Sequence, residues 1–416
     1  MLRSLYSSIS GLRAHQTMMD VTANNIANVN TQGFKAGRAV FADALSQTVR
    51  GGGIPTDASG STNPMQIGLG SRVASVSTSF SQGPLQLTGR VTDLAIQGNG
   101  FFVVERSGEQ LLTRDGSFNW DASGQLVTGG GARVLGWSAD PTTGAINPST
   151  SPGYIAVPTT VLPPAATGNI VLGGNISAGT AVGDFVATSG TVHNSLGTAF
   201  DLTLKMTKTS AGNWTANITA KDPNGVITDI TPAPAPTLNF DASGNLTSAG
   251  NITLTGVNLG AGGAPQNITI ALGNAQHGLT QYNQVSSMDM PVKDGSSGAE
   301  LSSVSFGTDG SVTAQYTNGD SKMIAKVALA AVTNPEGMMK AADNLFQTTL
   351  TSGDPVFGQA GTEQFGSVAP GALEGSNVDL AAEFTNLVLA QRGFQANTRV
   401  ITTSDEMLSD LVNVKR

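Results

Sequence analysis

Two heptad-spaced apolar stripes, one at each end of the chain, constrain it most. Leu2, Leu5, Ile9, Leu12, Gln16, Met19, Ala23 and Ile26 follow one another at alternating steps of three and four. Leu380, Phe384, Leu387, Gln391, Phe394, Thr398 and Ile401 do the same, with Leu408 and Val412 beyond them. Such spacing belongs to helices that pack against partner helices as coiled coils. It predicts a helix over 2–28 and another of some 36 residues opening at 377, where Ser376-Asn377-Val378-Asp379 has the form of a capping box. The Asn-rich run Asn24-Asn25-Ile26-Ala27-Asn28 should end the first helix, because Asn side chains compete for backbone hydrogen bonds. Gly33 then permits a positive φ.

Between the helices the pattern is β. Glycine (52) and proline (18) are frequent enough for many turns and short strands. Leu94-Ala95-Ile96 and Phe101-Phe102-Val103-Val104 flank Gly98-Asn99-Gly100, which predicts a hairpin. A strand–Asp/Gly turn–strand unit recurs at 118–127, 238–246 and 304–312. Its Asp-x-x-Gly spacing suits a turn in which Asp bonds its own backbone, and it lacks the acidic series of a calcium loop. The expected fold is mainly β with long terminal α-helices, in three parts. A helical coiled-coil core with its connector takes 1–70 plus 365–416. A discontinuous β-domain takes 71–144 plus 282–364. An inserted outer β-domain, rich in Thr, Asn, Gly and Ala, takes 145–281.

Composition narrows the function. Only 12% of residues are charged, about half the usual share, which suits subunits packed against neighbours. A net charge of −8 and the absence of a basic run argue against nucleic acid. No membrane span and no secretory signal are expected. With no cysteine there is no disulfide, thiolate metal site or Cys nucleophile. Of three histidines, His15 lies beside the first stripe, expected to be solvated or partner-facing, and His193 and His277 sit in loops without an acidic neighbour in sequence. No zinc, P-loop or nucleophile-elbow pattern is present. Neither an enzyme, a cofactor nor a small-molecule substrate is expected. Six Asn-x-Ser/Thr triplets follow from an Asn/Thr-rich composition. A secreted carbohydrate-binding protein would need an exposed aromatic platform, and the middle of the chain has only Trp137 and Trp214 as tryptophans.

Four blocks in order resemble the flagellar rod and hook axial proteins of bacteria. They are Leu5-Tyr6-Ser7-Ser8-Ile9-Ser10-Gly11-Leu12 with Asn24-Asn25-Ile26-Ala27-Asn28 through Gly33-Phe34-Lys35; Asp93 through Gly98-Asn99-Gly100-Phe101-Phe102; Thr113-Arg114-Asp115-Gly116-Ser117-Phe118; and Gly375 to Leu380 with Gln391 to Asn397. The length and insert favour the hook subunit over a distal rod protein, the alternative. The resemblance implies an extracellular helical homopolymer. Its terminal helices form an inner tube, the first β-domain a middle layer and the insert the outside. It also implies a curved joint that passes torque in swimming motility. The implied partners are further copies, the distal rod protein, the hook cap protein, the hook–filament junction protein and the flagellar type III export apparatus. The self-assembly residues would be Leu2, Leu5, Ile9, Leu12, Met19, Ile26, Leu380, Phe384, Leu387, Phe394, Ile401 and Leu408.

Overall fold

The computed structural model describes residues 2–52, 61, 63–140, 143–158, 161–248, 250–260, 262–272 and 278–414. His277 and Gly53-Ile54-Pro55 lie outside the described residues. The chain is mainly β, with α1 at Leu2–Ala27 and α2 at Leu380–Val414. The asparagine run ends α1 as expected: the Asn28 amide bonds back to Asn24 O and Asn25 O, and its side-chain Nδ2 donates to Asn24 O at 2.9 Å. The start of α2 differs from the expected capping box. Asp379 is the cap, its Oδ1 accepting from Ala381 N and Ala382 N. Asn377 is pulled elsewhere, accepting from Ala36 N and donating to Ser79 O.

The chain divides into two compact units. The first holds residues 1–157, 304–314 and 322–416, so both helices and the first β-domain share one unit. After α1 comes a long antiparallel ribbon: β1 (Gly37–Asp43) pairs with β4 (Ser71–Thr78), and β2 (Ser46–Arg50) with β3 (Met65–Gly68). The main sheet of this unit runs, in antiparallel steps, through Ser321–Ala331, Arg133–Ser138, Phe101–Arg106, Glu109–Thr113, Leu345–Gln347 and Met339–Lys340. Side chains alternate between faces of a strand. Phe102 and Val104 therefore enter one hydrophobic cluster while Phe101 and Val103 enter another. Both faces are covered, which is why this strand is an unbroken apolar run.

The hairpin expected at Gly98-Asn99-Gly100 is not there. Leu94–Gln97 pairs with Ser367–Pro370, and Phe101–Arg106 with Glu109–Thr113. Gly98 (φ 104°) and Gly100 (φ 119°) steer the chain from one sheet into the other, and Asn99 O accepts from Gly366 N. Local turn chemistry looks the same in both cases; the long-range strand at 367–370 decides between them.

The second unit holds 158–303 and 315–321, against the 145–281 expected for the insert. The start moves because Gly153–Tyr154 pairs with Arg133–Ser138 and Ile155 is buried in the first unit's core. The end moves because Asp289–Lys293 pairs with Asn169–Asn175. Two five-stranded sheets enclose a core that includes Trp214, fully buried, and Phe200, Leu202, Leu204 and Met206 from one alternating strand, Ala199–Ser210.

The Asp turns are as expected. Asp121 Oδ1 accepts from Ser123 N and Gln125 N, and Asp241 Oδ1 accepts from Ser243 N and Asn245 N. In the third, Asp309 is held down to about 2, chiefly by the Ser311 hydroxyl and also by Lys326. A carboxyl depressed in the folded state stabilises it above the ordinary carboxyl range, and that contribution is lost as pH falls toward 2. Ser311→Ala should raise the Asp309 midpoint toward ~3.9 in a carboxyl-NMR titration; an unmoved midpoint would assign the depression to Lys326 instead.

Candidate assembly surface and its anchoring junction

Helix α1 has three sides, each meeting something different. One side meets α2. Asn25 Nδ2 donates to Glu383 Oε1 at 3.0 Å. A side chain on Gly393 would strike the His15 ring, with its Cβ at 2.5 Å, and a Cβ on Gly11 would lie 2.7 Å from Asn397 Nδ2. The helices are therefore antiparallel. Their shared seam is small and polar: Ser8, Gly11, Thr22 and Asn25 on α1, and Ala390, Gly393, Asn397 and Ser404 on α2. His15 thus faces its own subunit's α2, not solvent or a partner as expected.

The second side of α1 meets the ribbon base. Ser71 N donates to Ser10 Oγ, and Val21 lies against Gly37. A cavity of about 520 Å³ runs between α1 and β4, lined by Tyr6, Ile9, Arg13, Leu69 and Arg72 among others.

The third side carries the apolar stripe, which the described residues cover only in part. At 100° per residue, Leu5, Ile9, Leu12 and Met19 lie roughly 70–150° round from the Gly11–Thr22 line. Ile9 is 39% exposed, and Leu5, Leu12, Met19 and Ile26 are half-buried. The side chain of Leu2 is outside the described residues. On α2, Leu380 and Phe384 are 40% and 52% exposed, and Leu387, Phe394, Ile401 and Leu408 are half-buried. The stripe positions Gln16 and Gln391 are exposed. Leu45, Val49, Met65 and Ile67 of the ribbon are exposed as well.

Both helices are tied to the β-domain at one junction, where the sequence motifs converge. Gly33 (φ 66°) presses on the Arg114–Asp115 backbone, and its N–H donates to Glu374 O at 2.8 Å. Phe34 is buried beneath Lys340, whose Nζ lies 4.9 Å from the ring centre and donates to Lys35 O. Asn25 exchanges two hydrogen bonds with the backbone of Gly37, fixing the exit from α1. Asn24 and Ala27 are exposed. At the centre, Lys35 Nζ lies 2.6 Å from Glu374 Oε1, and Arg114 Nη1 lies 3.0 Å from Glu374 Oε2. Arg114 Nη2 also donates to Gly98 O at 2.7 Å, and its guanidinium stands over the Phe101 ring. Burial pushes both Lys35 and Arg114 down, with Glu374 opposing.

Sequence reasoning found the greasy stripes and missed the seam beside them. The signal was available: Ser4, Ser8, Gly11, His15, Met18, Thr22 and Asn25 also alternate by four and three. The Lys35–Glu374–Arg114 contact had no such signal, since Glu374 is 339 residues from Lys35 and 260 from Arg114. Among the described residues, no three His, Cys, Asp or Glu side chains group to hold a metal. His193 is pushed down by burial and by Lys293, with Asp320 opposing. Trp214 is fully buried and Trp137 is buried with its Nε1 donating to Thr150 O, so neither offers an aromatic platform.

A helical pair with a β-ribbon, a sheet domain and a further β unit are the parts that the resemblance to the flagellar rod and hook proteins implies. Family profiles agree along the chain: flagella basal body rod protein at 5–35, flagellar hook protein FlgE/F/G D1 domain at 95–178, flagellar basal body protein FlaE D2 domain at 184–296, and flagellar basal body rod FlgEFG protein C-terminal at 369–414. The chain is 36% identical to flagellar hook protein FlgE of Borreliella burgdorferi and 34% identical to that of Treponema pallidum, in each case over 100% of both chains. It is 32% identical to FlgE of Escherichia coli K12, over 98% of this chain and 99% of that one. The chain belongs to the flagellar hook protein FlgE family. The crystal structure of Helicobacter pylori hook protein FlgE2 shares its fold, with a TM-score of 0.56 at 15% identity, covering 70% of this chain and all of that one.

Proposed function

We propose that the chain is the structural subunit of the flagellar hook. Copies of it polymerise into a curved, flexible, extracellular tube that joins the rod to the filament and transmits motor torque in swimming. Its work is mechanical, not catalytic. The observation that carries this reading is the partly exposed third side of α1 together with the exposed flank of α2. Covering an apolar stripe gains about 25 cal/mol per Å², and in a tube the neighbours' helices supply the cover. Contacts of this heterologous kind that do not close on themselves build open helical assemblies. We assign the tube wall to residues 1–70 with 365–416, its helices packed as coiled coils. The partners at its ends would be the distal rod protein and the hook–filament junction protein, with growth beneath the hook cap protein from subunits delivered by the flagellar type III export apparatus.

The combined variant Ile9→Asp, Phe384→Asp tests this. Both side chains are exposed in the subunit, so each change should alter its stability by no more than ~0.5 kcal/mol. Burying a carboxylate in a subunit contact without a partner costs several kcal/mol. Electron microscopy should therefore show no tubes under conditions where the parent forms them. Tubes of normal length from the double variant would refute the assignment of these stripes.

A further inference from the structure

The Lys35–Glu374–Arg114 triad is placed where its energetics and its location point to the same role. Lys35 lies between α1 and β1, Arg114 follows the strand Glu109–Thr113, and Glu374 ends the strand Ala372–Glu374 shortly before α2. The three charges therefore stand where both helices leave the β-domain. They are 1%, 5% and 1% exposed, respectively. Every contact is directional. Glu374 Oε1 accepts from Lys35 Nζ and from Gly83 N at 2.9 Å, Oε2 accepts from Arg114, and Lys35 Nζ also donates to Ser81 O at 2.7 Å.

Net stability does not account for this arrangement. Removing an ion from water costs several kcal/mol, and apolar side chains of similar volume are commonly as stable as a buried ion cluster. Arg114 Nε is moreover buried with no partner. What ions supply and methyl groups do not is direction, because charge-assisted hydrogen bonds are short and angle-dependent. Direction matters here because α2 is a lever. Its 35 residues span roughly 52 Å at 1.5 Å per residue, so a tilt of about 5° at the junction displaces the far end by roughly 4–5 Å, close to one helical turn. An error of that size would take a knob out of its hole on a neighbouring helix.

We propose that the triad is an orientation lock, which sets the angle between the helical pair and the β-domain and contributes geometry in place of net stability. The lock is a property of the single subunit; its value to the tube rests on the assembly reading above. The test uses the unassembled full-length chain, so the two can fail separately. The chain has no native cysteine, so spin labels can be placed at Ala396→Cys on α2 and Gln110→Cys on the sheet, both exposed. The triple variant Lys35→Met, Arg114→Met, Glu374→Leu should melt at or above the parent temperature. Its label-to-label distance distribution should broaden roughly twofold, because a swing of about 10° moves residue 396, roughly 24 Å along α2, by about 4 Å. The parent's width in a folded triple variant overturns the proposal. So does broadening with melting lowered by more than about 10 °C, which marks a stabilising role. If the triple variant does not fold, Arg114→Lys decides. It keeps the charge and loses the two-pronged reach to Glu374 and Gly98, so broadening supports the lock and the parent's width overturns it.

Discussion

Gly33→Ala is expected to lower the stability of the helical unit by roughly 3 kcal/mol, read as a fall in the urea midpoint. Two effects add. The left-handed backbone at Gly33 (φ 66°) costs an ordinary L-residue about 1–2 kcal/mol. A Cβ there would lie 2.6 Å from Asp115 N and 2.8 Å from Arg114 C. These are backbone atoms of the segment that carries the triad's arginine, so relief by a rotamer change is unavailable, and overpacking of this kind costs about 1–3 kcal/mol. Gly108, in the same unit, is the control. Its φ is 84° but nothing lies near its would-be Cβ, so Gly108→Ala should show only the first effect. Equal losses at the two positions would mean that Gly33 is selected for its backbone angle alone, with no contribution from its seat on Arg114–Asp115.

Glu374→Ala is expected to cost about 3–5 kcal/mol, because Lys35 and Arg114 would remain buried without their anion. Glu374→Gln should fall between, keeping hydrogen-bond acceptance but not charge. Chemical denaturation of the three proteins gives the order directly. The contrast with the fully apolar triple variant separates two quantities: breaking a buried ion cluster is expensive even where the intact cluster adds little net stability. A loss below about 1 kcal/mol for Glu374→Ala would show that water enters the junction to solvate the stranded cations.

The helices were legible in the sequence because their periodicity is local. Ile9 and Phe384 announce themselves by spacing, and Asn28 and Gly33 by what their side chains can and cannot do. The strand pairings were partly legible. The alternation Phe200-Asp201-Leu202-Thr203-Leu204 marks a strand, but nothing in Leu94-Ala95-Ile96 reveals that its partner is Ser367–Pro370. The same gap hid the junction. Lys35 and Arg114 looked like ordinary charged residues in recognisable blocks, and only the fold brings Glu374 between them. The insert's edges were misplaced for a related reason. Composition shifts at 145, whereas packing shifts after Val157, once Ile155 has joined the first core.

The seam between α1 and α2 has a mechanical consequence. Because it is lined by glycine, alanine and short polar groups, the helices adhere through close backbone approach, and dispersion contacts lose a quarter to a half of their depth over a gap of 0.5–1 Å. Gly11 receives Asn397, and Gly393 receives His15. Each is a notch holding a tooth. Axial sliding by a fraction of a turn drives each tooth into a helix wall, and one turn away Gly11 is replaced by Ser8 or His15 and Gly393 by Ala390 or Asn397, so no second notch waits there. The pair therefore behaves as a latch with one seated position.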